Sequence, residues 1–247
     1  GAIEATVGGG GGNTSSGNYT TVGGGKNNTA CGYSGTVAGG QNNCAIGTFN
    51  STVGGGQLNK ACGSASTVSG GYNSTAAGTN STVTGGSRNY TNARHSVVSG
   101  HRNVIVSLLD ECYARGSTIS GGIGHNSSGG TVDATTGDIT GTITCCYAGC
   151  FSTIGGGYRN IATGSTSTVS GGYCNTASNT WSTVSGGQNN TATALVSTVG
   201  GGSCNAASSF YAVVSGGWAN CASGSGSSVG GGVSNTASAS CSTVAGG

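Results

Sequence analysis

The sequence predicts an all-β protein, a parallel β-solenoid or β-roll of about 15-residue coils with two short strands in each coil. Three observations predict it. A Ser-Thr-Val-like triplet recurs in register along the chain, a pair of glycines follows most copies, and the composition lacks what an ordinary globular core needs.

The aliphatic residue of each triplet serves as an anchor. The anchors are Val7, Val22, Val37, Val53, Val68, Val83, Val98, Ile119, Ile154, Val169, Val184, Val199, Val214, Val229 and Val244. Nearly every step is 15 residues, with one of 16 (Val37 to Val53), one of 21 (Val98 to Ile119) and one of 35 (Ile119 to Ile154). The consensus is S-T-V-x-G-G-x-x-N-x-A-x-G-x-x, and Ser66 and Ser167 open clean copies of it. A period this short cannot hold a helix-turn-helix unit. It suits one solenoid coil of two strands and two turns.

Each element of the consensus has a physical role. Thr and Val favour strands. Side chains alternate across a strand, so an inward Val leaves the preceding Thr outward. The Gly pair permits the positive φ of a corner. The later Gly, as in Gly32, Gly63, Gly78, Gly164 and Gly224, suits the second turn. On the second strand the Asn and the Ala two residues on share a face. The core is therefore a valine column, with Val22, Val37, Val53, Val68, Val83, Val169, Val184, Val199 and Val229 as its clearest members, facing an alanine column. The Asn recurs as Asn28, Asn43, Asn59, Asn160, Asn175, Asn190, Asn205, Asn220 and Asn235. It reads as a stacked ladder whose amides satisfy turn backbone and the Asn of the next coil.

Coils stack at the inter-strand spacing, so about fourteen of them would make a rod of roughly 70 Å. Val and Ala are small, and such a rod buries little per residue. Ladders, self-association and assisting disulfides are expected to supply the remaining stability.

Composition excludes several classes. The chain has 54 glycines, no proline, no methionine and only 5% charged residues. A net charge of +2 is too small for a nucleic-acid footprint, and no apolar run is long enough for a membrane span. No signal peptide is visible at Gly1, so a mature or partial chain is expected. Eleven cysteines point to an oxidising, secreted or cell-surface setting, and their odd number leaves one thiol free or intermolecular. Cys112, Cys145, Cys146 and Cys150 are the best placed for local bridges.

The domain reading is a single array over 1–247 with two interruptions. A short insertion lies near 104–115. A hairpin insertion lies near 126–144, where alternating residues flank a turn. Charge concentrates in this zone. Arg88, Arg94, Arg102, Asp110, Glu111 and Arg115 make it a candidate binding or assembly site, with His95, His101 and His125 nearby. His95 and His101 flank one anchor at opposite ends of a strand, a poor arrangement for one metal ion. No protease, esterase, nucleotide or dinucleotide fingerprint occurs. No catalytic residue, metal ligand or cofactor is therefore expected.

Nine N-x-[ST] sequons occur. Asn27, Asn50, Asn73, Asn80 and Asn189 fall in turns, so they are the candidate N-glycosylation sites.

The segments Ser182–Gly187 and Asn220–Gly224 resemble the head-domain repeats of trimeric autotransporter adhesins. The resemblance implies a left-handed parallel β-roll, three chains packed side by side, and adhesion to surfaces or matrix. The expected function is an extracellular structural or adhesive repeat protein, a subunit of a fibre or surface assembly. Its partners would be further copies of itself, glycans or matrix components. The alternatives are an ice-binding solenoid, suggested by the outward Thr row, and a carbohydrate-binding one.

Overall fold

The computed structural model describes residues 2–106, 115–127, 131–132, 139–140 and 149–247. The chain is a parallel β-solenoid with two short strands per turn and no helix among the described residues. It divides into two compact units, Gly1–Ser107 and Leu108–Gly247.

In the first unit the anchor strands run from Thr6–Val7 through Thr21–Val22 and Thr36–Val37 to Val97–Val98. They form one parallel sheet in which each repeat pairs with the next, Thr21 with Thr36 and Val22 with Val37. The second strands, from Thr14–Ser15 through Thr29–Ala30 to Val104–Ile105, form another parallel sheet. The second unit repeats the plan. Its anchor strands run from Thr118–Ile119 to Thr243–Val244, and its second strands from Ile161–Ala162 to Thr236–Ala237.

Two residues per strand suffice because every coil has the same offsets, so each strand meets its copy. The inner residues are sealed. Val22, Val37, Val53, Val68, Val83, Val169, Val184, Val199 and Val229 are all fully buried, as are Ala30, Ala45, Ala61, Ala76, Ala177 and Ala192. Each buried valine contributes roughly 1.5–3 kcal/mol.

A third column of backbone bridges appears that the strand pattern did not predict. The residue four past the anchor pairs with its equivalent, as in Lys26 with Gln41, Gln57 with Tyr72, and Tyr158 with Tyr173. The next residue is left-handed, with φ of 53° at Asn27 and 55° at Asn42. There the hydrogen bonding reverses. Lys26 N–H donates to Gly40 of the following coil, whereas Asn27 N–H donates to Gly11 of the preceding one. The corner thereby turns the chain without orphaning backbone groups.

The irregular steps leave the register intact. The extra residue before Val53 is absorbed between Ala45 and Ser51, because Thr36 still pairs with Thr52. The 35-residue step likewise ends with Ile119 paired to Ile154. Val104–Ile105, at the start of the first interruption, is a regular second strand paired with Tyr90–Thr91. Residues 107–114 beyond it lie outside the described residues. In the second interruption Thr131–Val132 pairs antiparallel with Ile139–Thr140.

Candidate functional site

The asparagine column is the principal polar construction inside both units. Asn28, Asn43, Asn59, Asn160, Asn175, Asn190, Asn205 and Asn220 are buried. Asn190 shows the pattern. Its Nδ2 donates to Gly186 O at 2.9 Å in its own coil and to Gly202 O at 2.8 Å in the next. Its Oδ1 accepts the backbone N–H of Asn205 at 2.9 Å. Asn235 donates in the same way, to Gly231 O and to Gly247 O. At Asn190 both amide hydrogens and the amide oxygen are thus engaged by the scaffold, so its buried amide serves the fold.

Two coils replace this residue. Ser74 takes it in the first unit, and its hydroxyl accepts Asn89 N–H at 3.2 Å. It is too short to reach the carbonyls that an amide would serve. Ser74→Asn is expected to stabilise the protein by about 1 kcal/mol, the net value of a restored hydrogen bond. Denaturant midpoints of the two proteins check this. Unchanged stability would show that the serine rung is already satisfied.

His125 takes the position in the second unit. It is fully buried, and its Nδ1 accepts Asn160 N–H at 3.0 Å. Burial holds its pKa down to about 4, below the ordinary 6.5. The imidazole must stay neutral, since a proton on Nδ1 would face the Asn160 donor. The unfolded chain takes up that proton first. Stability is therefore complete above pH 6.5 and falls as the pH drops toward 4, by up to about 3 kcal/mol. His125→Asn should flatten this dependence, as read from unfolding curves at pH 7 and pH 4.5. An equally steep dependence in the variant would assign it elsewhere.

A buried serine column, which the consensus shows but strand alternation does not explain, closes the second turn. Ser66 Oγ donates to Gly63 O at 2.8 Å and Ser81 Oγ to Gly78 O at 2.7 Å. Ser182 and Ser197 do the same for Asn179 and Ala194. The later glycines also have a sharper reason than a turn. A Cβ on Gly63 would lie 2.1 Å from Gly78 O, and one on Gly164 1.9 Å from Asn179 O. Close coil stacking, rather than a positive φ, demands glycine at Gly63, Gly78, Gly164 and Gly224, while Gly32 meets both, with φ of +89°. The left-handed residue of this turn sits two positions later, or three in the coil with the extra residue, and is mostly not glycine, as at Tyr19, Ala65 and Trp181, and at Asn50.

The outer surface carries the remaining sequence candidates. Thr21, Thr36, Thr52, Thr67 and Thr82 form a half-buried outward row, and Thr168, Thr183 and Thr198 form another in the second unit. Asn27, Asn50, Asn73, Asn80 and Asn189 are exposed on left-handed corners with φ between 50° and 54°. The sequons at Asn89 and Asn126 are buried.

The proposed charged zone is only partly assembled. Arg88 and Arg102 occupy successive rungs of the same corner, each left-handed, with Arg102 N–H bonded to Ser87 O. Arg94 lies on the other corner, beside His95, and Arg115 belongs to the second unit. Asp110 and Glu111 lie outside the described residues. Among the described residues no group of His, Cys, Asp and Glu could hold a metal ion, and no helix is long and apolar enough to cross a membrane.

The cysteines of the described residues are free thiols, with Cys150 buried. Cys112, Cys145 and Cys146 lie outside the described residues. Cys44 and Cys62 flank Lys60. Burial raises both thiols, with Cys31 and Cys62 adding to the effect at Cys44 and Lys60 opposing it at both. They stay protonated at neutral pH and are weak nucleophiles.

Sequence reasoning passed over the exposed aromatics. Tyr19, Tyr33 and Phe49 make one cluster, with ring centroids 5.2 and 5.9 Å apart. Tyr158 and Tyr173 stack at 5.2 Å, with Arg159 over the Tyr158 ring. Phe151, Trp181 and Tyr211 share one left-handed corner. Their common offset, three residues before an anchor, was the available signal.

No family model matches the chain, and no curated protein is significantly similar to it.

Proposed function

We propose that the protein is an extracellular structural or adhesive repeat protein, a self-associating subunit of a fibre or surface assembly with no catalytic role. The observation that carries this reading is the periodic surface. Left-handed corners recur along the coils and an outward threonine row occupies most of them, over an interior whose asparagine amides bond from one coil to the next. A surface that offers the same group at a fixed interval suits multivalent contact, where many weak contacts add. Head-like adhesion of the kind found in trimeric autotransporters belongs to the same reading, as do glycans on the exposed corners at Asn27, Asn50, Asn73, Asn80 and Asn189.

Electron microscopy of the purified protein, without cross-linking, is the test. Filaments or ordered lateral arrays are expected. Discrete single particles across a wide concentration range would sink the assembly reading. The threonine row also favours a second reading, ice binding, because hydroxyl and methyl groups recur at the parallel-strand spacing. Shaped ice crystals in a dilute, monodisperse solution would select it.

A further inference from the structure

We propose that the corner carrying Phe151, Trp181 and Tyr211 is a stacking platform for a neutral, extended β-1,4-linked glucan. The three residues lie three positions before Ile154, Val184 and Val214, so one falls on every second coil. Between them the same position holds Thr166 and Val196. All five share one backbone conformation, with φ of 54° at Phe151, 57° at Thr166, 56° at Trp181, 58° at Val196 and 56° at Tyr211. A single ladder ties them. Thr166 N–H donates to Cys150 O, Trp181 to Ser165, Val196 to Thr180 and Tyr211 to Leu195. Equal φ and equal register give parallel Cα–Cβ directions. The aromatic side chains therefore leave the corner on one line at intervals of two coils, ~9.6 Å.

Three features point to a ligand. First, the side chains are open, with Phe151 60%, Trp181 57% and Tyr211 54% exposed, so their burial does not hold the coil together. Second, their backbone is costly. A bulky or β-branched residue is strained in the left-handed region, where Asn or Gly sits at less cost. The equivalent corner of the first unit is mixed, with Asn50 and Asn80 at φ of 50° and 54° beside Glu4, Tyr19, Ser34, Ala65 and His95, so Asn is accepted at this position. Third, the coils of Trp181 and Tyr211 carry no charge, since Arg159 is the last Asp, Glu, Lys, Arg or His in the sequence. The one charged neighbour on this corner is Arg115 at the Phe151 end, whose carbonyl accepts Phe151 N–H. An anionic partner, whether nucleic acid, acidic polysaccharide or lipid, would meet no cation along the Trp181 and Tyr211 coils.

Neutral chemistry, flat aromatic faces and a two-coil interval together specify the occupant. An extended β-1,4-glucan turns each sugar over relative to the last. Every second ring then presents the same face of axial C–H bonds, at an interval close to that of the aromatics. Leu195 and Phe210 thicken the platform, with the Phe210 and Tyr211 rings in edge contact at 4.3 Å. A coiled α-linked glucan has the same sugar but cannot keep this register.

The proposal supplies a ligand class for the adhesive reading and rests on that reading only for its setting. The test is co-sedimentation of the full chain with microcrystalline cellulose, alongside Trp181→Asn and the double variant Trp181→Asn/Tyr211→Asn. Asn suits the corner, so both variants should fold and melt no lower than the parent. The parent should pellet with cellulose, the single variant at least tenfold more weakly, and the double variant should stay in solution. Insoluble amylose should retain none of them. A folded parent that ignores cellulose overturns the proposal, as does undiminished binding by the double variant or equal binding to amylose. A double variant that loses self-association instead would assign the corner to packing between copies. Filaments that form without cellulose binding would defeat this proposal and leave the assembly reading standing.

Discussion

Gly40→Ala is expected to cost more than about 4 kcal/mol, while Gly39→Ala, one residue away, should stay within about 0.5 kcal/mol of the parent. The two glycines look equivalent in the sequence. In the folded chain Gly40 has φ of +90°, and a Cβ there would lie 2.1 Å from Gly56 O and 2.5 Å from Asn43 Nδ2. The first obstacle is backbone of the next coil, which cannot swing aside. The second is a ladder amide already bonded on both sides. Relief would require separating two coils and breaking the bonds that join them. Gly39 lies outside the left-handed region and has open space where its Cβ would point. Urea unfolding of the three proteins is the measurement. Equal stability of the two variants would show that the coils are not stacked as tightly as described.

The second large effect is expected at the asparagine column. Asn190→Ala removes two donations, to Gly186 O and Gly202 O, and the acceptor for Asn205 N–H. Asn190 is fully buried, so water does not readily replace the amide. Gly202 O keeps the N–H of Gln188, so two backbone groups, Gly186 O and Asn205 N–H, are orphaned. At about 1–3 kcal/mol each, the loss is on the order of 2–6 kcal/mol. Asn190→Asp keeps the acceptor but turns a carboxylate toward two carbonyl oxygens. It should be strongly destabilised at neutral pH and partly recovered at low pH, where the protonated carboxyl can donate once. The neighbouring Asn189 is exposed on a left-handed corner. Asn189→Gly should change stability by no more than about 0.5 kcal/mol. If Asn190→Ala were equally mild, the ladder would contribute little and the valine and alanine columns would hold the coil alone.

The solenoid was legible because its periodicity is carried by chemically distinct residues. An aliphatic anchor every 15 positions can close only on its own copies, and alternation across a strand assigns Thr to solvent and Val to the core. The asparagine column was legible for a related reason. A polar residue at a fixed place on the inner face must find partners in the repeat itself. The outer surface was harder to read. Phe151, Trp181 and Tyr211 fall on unrelated words of sequence, and only their shared offset from the anchors marks them as a row. Arg88 and Arg102 are 14 residues apart, not 15, because their coil lacks one residue of the glycine corner. The Arg94 side chain, nearer to both in sequence, belongs to the other corner.

The sequence by itself determined the repeat, the inward columns of valine, alanine and asparagine, and the poverty of charge. These depend on residue type and spacing, which a linear chain displays directly. Tertiary structure alone decided which glycine of a pair is indispensable, that a third bridged column joins the coils, and that left-handed corners are filled by Asn, Arg, Trp or Tyr. Each of these depends on the distance between backbones one repeat apart. That distance is set by stacking at the inter-strand spacing, and no local propensity encodes it.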